Sequence, residues 1–307
     1  MRLGIDLGGT KTEIIALGDA GRTLLRERVS TPRQDYHGCI AAMRDLVLGA
    51  ENKLGQRGSV GVAIPGTIST KTGLVKNANS IALIGHPLDK DLAAALARPV
   101  RVANDANCFA LSEATDGAAA RAPVVFGIIA GTGVGGGVCV DGRVLSGAHG
   151  IAGEWGHNAL PRPKSHEVAG LPCYCGKSGC IESWCSGPAI ATQYQQQTGR
   201  RSSATEIASQ ALAGETAATC IMQAFFDRFA RAIAEIVNIL DPDTIVLGGG
   251  LSNIEALYHE LPPRVEAYAF MPEGPSRIVK NRHGDSSGVR GAAWLWGEDE
   301  RSLALPS

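Results

Sequence analysis

The sequence predicts an α/β protein built from two duplicated α/β domains with a cleft between them. Two segments share a plan but almost no residues beyond their glycines: LGIDLGGTKTEIIALGDAGRTLL, which starts at Leu3, and VVFGIIAGTGVGGGVCVDGRVLSG, which starts at Val124. Each predicts a strand, a glycine corner and a second strand, and each opens one half of the chain. The alternative is that two hairpins resemble each other by chance.

Strands and helices alternate in the first half of the chain. Apolar residues at helical spacing, among them Ile40, Met43 and Val47, predict a helix from residue 36 to residue 54. A second helix has an acidic first turn and a proline just beyond its end. The segments predicted here are strands at 3–7, 12–17, 23–29, 59–64 and 100–103, and helices at 36–54, 89–97 and after Asn104-Asp105.

The second half is mainly helical after residue 185. A stripe that includes Phe225, Phe229 and Ile233 predicts a long helix with a buried face, from residue 216 to residue 240. Between the helices, TIVLGGGLSN predicts a buried strand that ends in three glycines and leads into another helix. The shorter helices predicted here are 186–198, 204–213 and 289–296.

The composition argues against several function classes. The chain has 307 residues with 29 basic and 30 acidic side chains, a balance that gives no indication of a nucleic-acid or membrane-surface partner. No apolar run is long enough to span a bilayer. The sequence begins directly with a strand pattern, so we expect no secretion signal. Eight cysteines then indicate the reducing cytoplasm, where thiols stay free or bind metal.

One short segment supplies an imidazole and three thiols, which together are the ligand set of a closed tetrahedral zinc site. The four ligand candidates are His157, Cys173, Cys175 and Cys180. No position is left for water, so the ion is expected to be structural, which argues against a zinc hydrolase. A metal here would also fix the direction of Glu154 and Glu182. Reduced surface thiols or a disulfide pair are the alternatives.

Three glycine corners follow apolar strands and would let backbone N–H groups approach a phosphate. The corners are Gly8-Gly9-Thr10, Gly131-Thr132-Gly133 and Gly248-Gly249-Gly250. The first two join strand to strand, so neither is a Walker loop or a dinucleotide fingerprint, both of which open a helix. Asp6, at the end of the first strand, is a candidate carboxylate near a phosphate-bound Mg²⁺ ion. Thr10 and Thr132 are candidate hydroxyl donors.

Asn104-Asp105 lies where a buried strand changes into a helix. A carboxylate at this point could accept the proton of a substrate hydroxyl during transfer to that oxygen. Asn and Asp also favour helix N-caps, so an ordinary cap is the alternative. Further polar groups suited to a polyhydroxylated ligand are Asn79, Glu154, His157 and Glu182.

Six motifs are similar, in order along the chain, to those of the ROK family of sugar kinases and repressors. They are GIDLGGTKTE, VANDANC, IAGTGVGGGV, AGEWGHN, CYCGKSGCIE and IVLGGGLSN, and the similarity runs from residue 3 to about residue 297. Within the family, VKNANS, NILDPD and HGDSSGVRGAAWLW resemble bacterial fructokinases of the manno(fructo)kinase type. The resemblance implies an actin-like, hexokinase-like ATPase fold of the ribonuclease H-like class, in which two domains close on sugar and ATP.

The resemblance also implies a role for each matching residue, with Asp105 as the catalytic base and the zinc ligands as given above. The residues expected to face the sugar are Gly66, Asn79, Asn104, Asp105, Glu154, His157 and Glu182. The residues expected to bind ATP are Gly4, Ile5, Asp6, Leu7, Gly8, Gly9, Thr10, Lys11, Gly131, Thr132, Gly133, Val134, Gly135, Gly136, Gly137, Val138, Gly248, Gly249 and Gly250. The sequence of the loop 161–172, between the histidine and the first cysteine, is expected to be the least constrained.

The activity implied by the resemblance is ATP-dependent phosphorylation of a hexose, first of all fructose to fructose 6-phosphate, with Mg²⁺ bound to the ATP. Glucose, mannose and N-acetylated hexosamines are alternative acceptors, and a sugar-responsive repressor is an alternative class. The expected domains are residues 1–118, with a C-terminal helix at 287–298 packing back on them, and residues 119–286, with the zinc-binding segment at 157–180. A homodimer is expected at the family level only.

Overall fold

Two five-stranded sheets carry the fold in the computed structural model, which describes residues 1–78, 80–270, 274, 276–297, 300 and 304. The strands are β1 (Arg2–Leu7), β2 (Lys11–Leu17), β3 (Thr23–Ser30), β4 (Ser59–Ile64), β5 (Thr67–Ile68), β6 (Val75–Lys76), β7 (Val100–Asn104), β8 (Val124–Ala130), β9 (Val134–Val140), β10 (Arg143–Val144), β11 (Thr244–Gly248) and β12 (Ile278–Lys280). The α-helices are α1 (Tyr36–Leu54), α2 (Leu88–Leu96), α3 (Asp105–Thr115), α4 (Ile181–Cys185), α5 (Gly187–Thr198), α6 (Ala204–Leu212), α7 (Thr216–Leu240), α8 (Leu257–Tyr268) and α9 (Ser287–Trp294).

The first sheet has the strand order β3-β2-β1-β4-β7. The hairpin of β1 and β2 is antiparallel, whereas β4 runs parallel to β1 and β7 runs parallel to β4. The carboxyl ends of β1, β4 and β7 therefore lie at one edge of the sheet, where ligands bind in open α/β sheets. The second sheet has the order β10-β9-β8-β11-β12, with β8, β11 and β12 parallel to one another.

The chain divides into two compact units. Unit 1 comprises residues 1–121, 137–152 and, as far as they are described, 285–307; unit 2 comprises residues 122–136 and 153–284. Strand β9 passes from unit 2 into unit 1 at residue 137. The domain boundaries expected from the sequence, after residues 118 and 286, stay a prediction.

Helix α9 packs tightly within unit 1 because a glycine lies at its contact with each of two neighbouring elements, β1 and α3. A Cβ atom on Gly4 of β1 would lie 2.1 Å from the carbonyl oxygen of Val289, and one on Gly291 would lie 1.7 Å from that of Cys108 on α3. The helix is also anchored at its start, where Ser287 Oγ donates to the buried Glu113 carboxylate at 2.7 Å. The last helix of the chain is thereby joined to β1 and α3.

Most predicted elements agree with the structure, and the predicted α/β class is confirmed. The long helix of the second half runs from Thr216 to Leu240, and its buried face includes the stacked rings of Phe225 and Phe229. The triple glycine after β11 does not lead directly into a helix, because a single 3-10 turn, Gly250–Asn253, precedes α8. None of the helices in the described part of the chain combines the length and the apolar character that a membrane crossing requires.

Candidate active site

The register of the first sheet brings the candidate catalytic residues of unit 1 to one edge. Asp6 of β1 pairs with Ala63 of β4, and the next residue of β4, Ile64, pairs with Asn104 of β7. Asp105 follows immediately as the first residue of α3. The parallel strands thus place the side chains of Asp6 and Asp105 close enough for their charges to interact.

Asn104 and Asp105 form the N-terminus of α3. Asn104 Oδ1 accepts hydrogen bonds from the backbone N–H of Ala106 at 2.9 Å and of Asn107 at 3.3 Å, and Asp105 Oδ1 accepts one from Ala106 at 2.8 Å. The helix cap considered as the alternative is therefore present. The cap is compatible with a catalytic base, because a carboxylate offers about four acceptor positions and one bond to the backbone fixes its direction.

Asp6 has an unusual electrostatic environment. Burial and, to a smaller degree, the negative charges of Asp105 and Glu13 together raise the pKa of Asp6 from 3.8 to about 7, while Arg28 acts in the opposite direction. A divalent cation relieves this kind of repulsion between carboxylates. The residues present therefore fit a Mg²⁺ ion bound with ATP, with Asp6 as the carboxylate that faces it.

The first glycine corner is a tight hairpin with an exposed tip. Gly8 donates its N–H to the carbonyl of Lys11 at 3.1 Å and accepts from Thr31 Oγ1 at 2.8 Å. Gly9 and Thr10 are exposed, so their backbone is accessible to a phosphate. Three other residues of the same predicted set, Gly4, Ile5 and Leu7, are buried within β1.

Gly66 lies where two segments of unit 1 approach closely after β4. Its φ is +147°, and a Cβ atom there would lie 2.8 Å from the carbonyl oxygen of Lys76 and 2.9 Å from Ala78. The glycine therefore lets the chain before residue 79 pack against the end of β4. Asn79 itself, predicted to bind the sugar, lies outside the described residues.

The other two glycine corners lie side by side in unit 2. The register of β8 and β11 pairs Ile129 with Gly248, and a Cβ atom on Gly131 would lie 3.5 Å from the backbone nitrogen of Gly250. The N–H of Gly187, the first residue of α5, donates to the carbonyl of Gly131 at 2.8 Å. Exposed glycine backbone beside a helix N-terminus favours the binding of an anion such as phosphate.

Two of the remaining predicted ATP residues of β9, Gly135 and Gly136, contact Trp155. The carbonyl of Gly135 accepts from Trp155 Nε1 at 3.0 Å, and the ring of Trp155 lies against Phe126 and Phe229. Gly136, Gly137 and Val138 are buried. Because Trp155 lies between Glu154 and His157 in the sequence, its burial fixes the backbone position from which these two side chains extend.

Glu182 contacts the second glycine corner. Its Oε2 accepts a hydrogen bond from the backbone N–H of Val134 at 2.8 Å. The sequence assigned Glu182 to the sugar and Val134 to ATP, and the structure brings these two residues together. Glu154, the other carboxylate of the zinc segment, is exposed.

The four predicted zinc ligands converge. The ligand atoms of His157, Cys173, Cys175 and Cys180 all lie within 4.8 Å of one another. His157 Nδ1 is 3.6 Å from Cys173 Sγ, and Cys175 Sγ is 3.6 Å from Cys180 Sγ. A tetrahedral ion with Zn–S bonds of about 2.3 Å separates its ligand atoms by about 3.6–3.8 Å, whereas a disulfide would need about 2.05 Å.

The chemistry of the cluster also fits a cation. Burial, followed by the neighbouring thiols of Cys175 and Cys173, raises the pKa of Cys180 to about 12. Three clustered thiols therefore do not ionise together unless a metal compensates the charge. His157 Nδ1 faces the thiols, while Nε2 of the same ring lies 3.0 Å from the Tyr174 hydroxyl.

The loop 161–172 is anchored to α7 through a buried carboxylate, and the expectation that its sequence is the least constrained stays a prediction. Glu167, in the middle of this loop, is 3% exposed and forms ion pairs with Arg228 and Arg231 of α7. Sequence reasoning missed these three residues. The available signal was the presence of two arginines inside the buried stripe of α7, since a buried arginine needs an acidic partner.

Fold and site together define an α/β protein with paired carboxylates, phosphate-type glycine corners and a Cys₃His metal motif. The model of the ROK family matches residues 2–299, and the chain belongs to this family. It is 42% identical over 299 residues to an N-acetyl-D-glucosamine kinase of Yersinia pseudotuberculosis. The aligned region covers 96% of this chain and 98% of the relative.

Two solved structures agree with this assignment. The ROK hexokinase of Thermus thermophilus matches with a TM-score of 0.85 and 31% identity, over 96% of this chain and 97% of that protein. A ROK glucokinase of Streptomyces griseus, solved with glucose and AMPPNP, matches with a TM-score of 0.75 and 27% identity, over 96% and 98%. The predicted family and the hexokinase-like, actin-like ATPase fold are therefore confirmed.

Proposed function

We propose that the protein is an ATP-dependent kinase that phosphorylates the primary hydroxyl of N-acetyl-D-glucosamine. The observation that carries the proposal is the 42% identity to an N-acetyl-D-glucosamine kinase over nearly the whole of both chains. It supports a kinase rather than a sugar-responsive repressor. It also favours an N-acetylated hexosamine, which the sequence offered as an alternative, over fructose.

In the proposed reaction Asp105 is the general base. Its carboxylate accepts the proton of the sugar hydroxyl as that oxygen attacks the γ-phosphoryl group and ADP leaves. The hydrogen bond from Ala106 holds Oδ1 at the start of α3, so little reorganisation is needed when the substrate binds. A positioned base of this kind contributes about 10²–10⁴-fold to the rate.

The phosphates of ATP are bound by backbone groups in this proposal. The exposed corner at Gly9 and Thr10 in unit 1 and the paired corners at Gly131 and Gly250 in unit 2 offer N–H groups without side chains. Mg²⁺, when bound with ATP, neutralises phosphate charge. Asp6 is the carboxylate that orients it, directly or through water.

Zinc, when bound by His157 and the three cysteines, supplies a fixed positive charge that keeps the thiolates together, and it has a structural role only. Glu154, His157 Nε2 and Glu182 remain the proposed sugar-facing groups of unit 2. Asn104 and Gly66 have the same role in unit 1. Cytoplasmic location and a homodimer are part of the proposal, and size-exclusion chromatography with light scattering tests the dimer.

A coupled ADP-release assay with N-acetyl-D-glucosamine, glucose, mannose and fructose tests the proposal. We expect kcat/KM for N-acetyl-D-glucosamine to exceed the others by at least about tenfold, which corresponds to about 1.4 kcal/mol of transition-state discrimination. The Asp105→Asn variant, purified in parallel, controls for contaminating kinases. A preference for fructose would restore the expectation from the sequence, and phosphorylation of none of the four sugars would refute the kinase assignment.

A further inference from the structure

Two buried arginines of α7 lie beneath the zinc-ligand segment. The side chains of Arg228 and Arg231 are 6% and 2% exposed and lie one turn apart on α7, where Arg231 Nη2 is also 3.2 Å from Asp227 Oδ2 of the same helix. A buried guanidinium group is costly unless its donors are paired. The groups that accept hydrogen bonds from the two guanidinium groups therefore indicate the structural role of Arg228 and Arg231.

Arg231 holds the arm of the segment that follows His157. Its Nη1 donates to the carbonyl oxygens of Pro161 at 2.9 Å and Arg162 at 2.8 Å, and its Nη2 donates to Glu167 Oε2 at 2.9 Å. All three acceptors lie between the first zinc ligand, His157, and the second, Cys173. One guanidinium group thus makes three bonds that join this arm to α7, in addition to the ion pair of Lys164 with Asp227 at 2.9 Å.

Arg228 holds the arm that follows Cys180. Its guanidinium carbon lies 4.7 Å from the ring centroid of Trp184 on α4, and its Nη1 donates to Gln193 Oε1 at 2.6 Å. Gln193 Nε2 in turn donates to the carbonyl of Trp184 at 3.2 Å. Because Trp184 lies two residues after Glu182, these contacts fix the short helix that carries Glu182.

Glu167 connects the two arms. Its Oε1 accepts from Arg228 Nε at 2.6 Å, while both oxygens face Arg231. Burial alone would raise the pKa of Glu167, but hydrogen bonds from Arg228, from the backbone N–H of Lys164 and from Arg231 hold it below its ordinary value. The carboxylate is therefore ionised and binds both arginines at once.

We propose that Glu167, Arg228 and Arg231 are positioning residues, which set the convergence of the zinc ligands and the place of Glu182 before any metal binds. A network that only stabilised the fold could be replaced by apolar side chains of similar volume. This network also donates to loop carbonyls, which apolar side chains cannot do. Its effect on sugar binding rests on the proposed function, whereas its effect on metal binding does not.

The test compares Glu167→Gln with two controls from the same unit. Glu260→Gln makes the same chemical change in an ion pair with Arg264 on α8, whose two side chains are 33% and 30% exposed. Leu261→Ala removes a fully buried side chain of α8. It serves as the control for a general loss of stability, because it changes no residue of the zinc-binding segment 157–180. For each protein, zinc affinity is measured by chelator competition, and N-acetyl-D-glucosamine and AMPPNP affinities by calorimetry.

We expect Glu167→Gln to lower zinc affinity by about 10–100-fold, the usual effect of losing a group that orients metal ligands. We also expect it to weaken sugar binding, while AMPPNP affinity stays within about twofold. Wild-type zinc and sugar affinities in Glu167→Gln, or an equal loss of zinc affinity in Leu261→Ala at the same melting temperature, would overturn the proposal.

A triple variant, Glu167→Leu with Arg228→Met and Arg231→Met, keeps the experiment decisive if Glu167→Gln does not fold. We expect it to fold and to bind zinc weakly; wild-type zinc affinity in it would contradict a positioning role. Failure of the wild-type protein to bind any sugar would count against the proposed function alone, because the zinc measurement uses no sugar.

Discussion

Replacing Asp6 by asparagine should stabilise the protein in a way that depends on pH. The folded Asp6 carboxyl has a pKa of about 7 instead of 3.8, chiefly because it is buried and secondarily because Asp105 and Glu13 are nearby. A difference of about 3 pKa units, at about 1.4 kcal/mol each, amounts to about 4 kcal/mol. Asn has the size of Asp and does not titrate.

The sign follows from proton binding. Between pH 4 and pH 7 the folded state keeps the Asp6 proton and the unfolded state does not, so the contribution of Asp6 to stability falls as the pH rises and is constant above about 7. From pH 5.5 to pH 8.5 the wild-type protein should lose about 2 kcal/mol relative to Asp6→Asn. The variant should therefore have its larger advantage at pH 8.5.

Urea unfolding followed by circular dichroism, at pH 5.5 and pH 8.5 without nucleotide or Mg²⁺, measures this difference. Asp45→Asn is the matched control, because the Asp45 side chain is 63% exposed on α1 of the same unit and should give the same small effect at both pH values. An equal effect of Asp6→Asn at the two pH values would refute the reasoning, since Asp6 would then be ionised in the folded state throughout.

Three further predictions concern the proposed chemistry. Asp105→Asn should lower kcat by about 10²–10⁴-fold while sugar affinity in calorimetry stays within about twofold; near-normal turnover would contradict its role as the base. Removal of zinc, by chelation or by Cys180→Ser, should weaken sugar binding more than AMPPNP binding in the same titrations, and equal affinities of the zinc-bound and zinc-free proteins would show that the metal does not support the sugar site. Glu182→Gln should raise AMPPNP affinity about tenfold in the absence of sugar, or about 1.4 kcal/mol, because it removes a negative charge that is bonded to Val134; an unchanged affinity would contradict this.

Elements with strong local signals could be predicted from the sequence. Helices α1 and α7 have the predicted bounds because their apolar periodicity extends over 19 and 25 residues and is itself the reason that they fold as amphipathic helices. The convergence of the four candidate zinc ligands could be predicted for a similar reason, since their spacing and chemistry are local. Asn104 and Asp105 were placed correctly at a strand-to-helix junction, although their catalytic role stays a prediction.

Features that depend on distant partners could not be predicted in this way. The carboxylate of Glu167 is separated from Arg228 by 61 residues in the sequence, so nothing local marked the loop as anchored. Gly4 belongs to a glycine-rich motif, yet its neighbour is α9, which begins 283 residues later; a local pattern cannot distinguish a glycine that approaches a helix from one that approaches a phosphate. The contact between Glu182 and Val134 was missed for the same reason.

The contacts of Glu182 join the metal segment to the phosphate-type corner of unit 2. Glu182 lies two residues after Cys180, on a helix that is held by Arg228 through Trp184, and its Oε2 binds the N–H of Val134. A sugar hydroxyl that donates a hydrogen bond to Glu182 Oε2 would compete with that N–H. In doing so it would draw the negatively charged carboxylate away from the corner that we propose for ATP. Sugar binding should then favour nucleotide binding, and by thermodynamic reciprocity nucleotide should favour sugar to the same degree. The coupling needs no movement larger than a rotation of the Glu182 side chain, because Arg228 holds the helix α4 that carries Glu182.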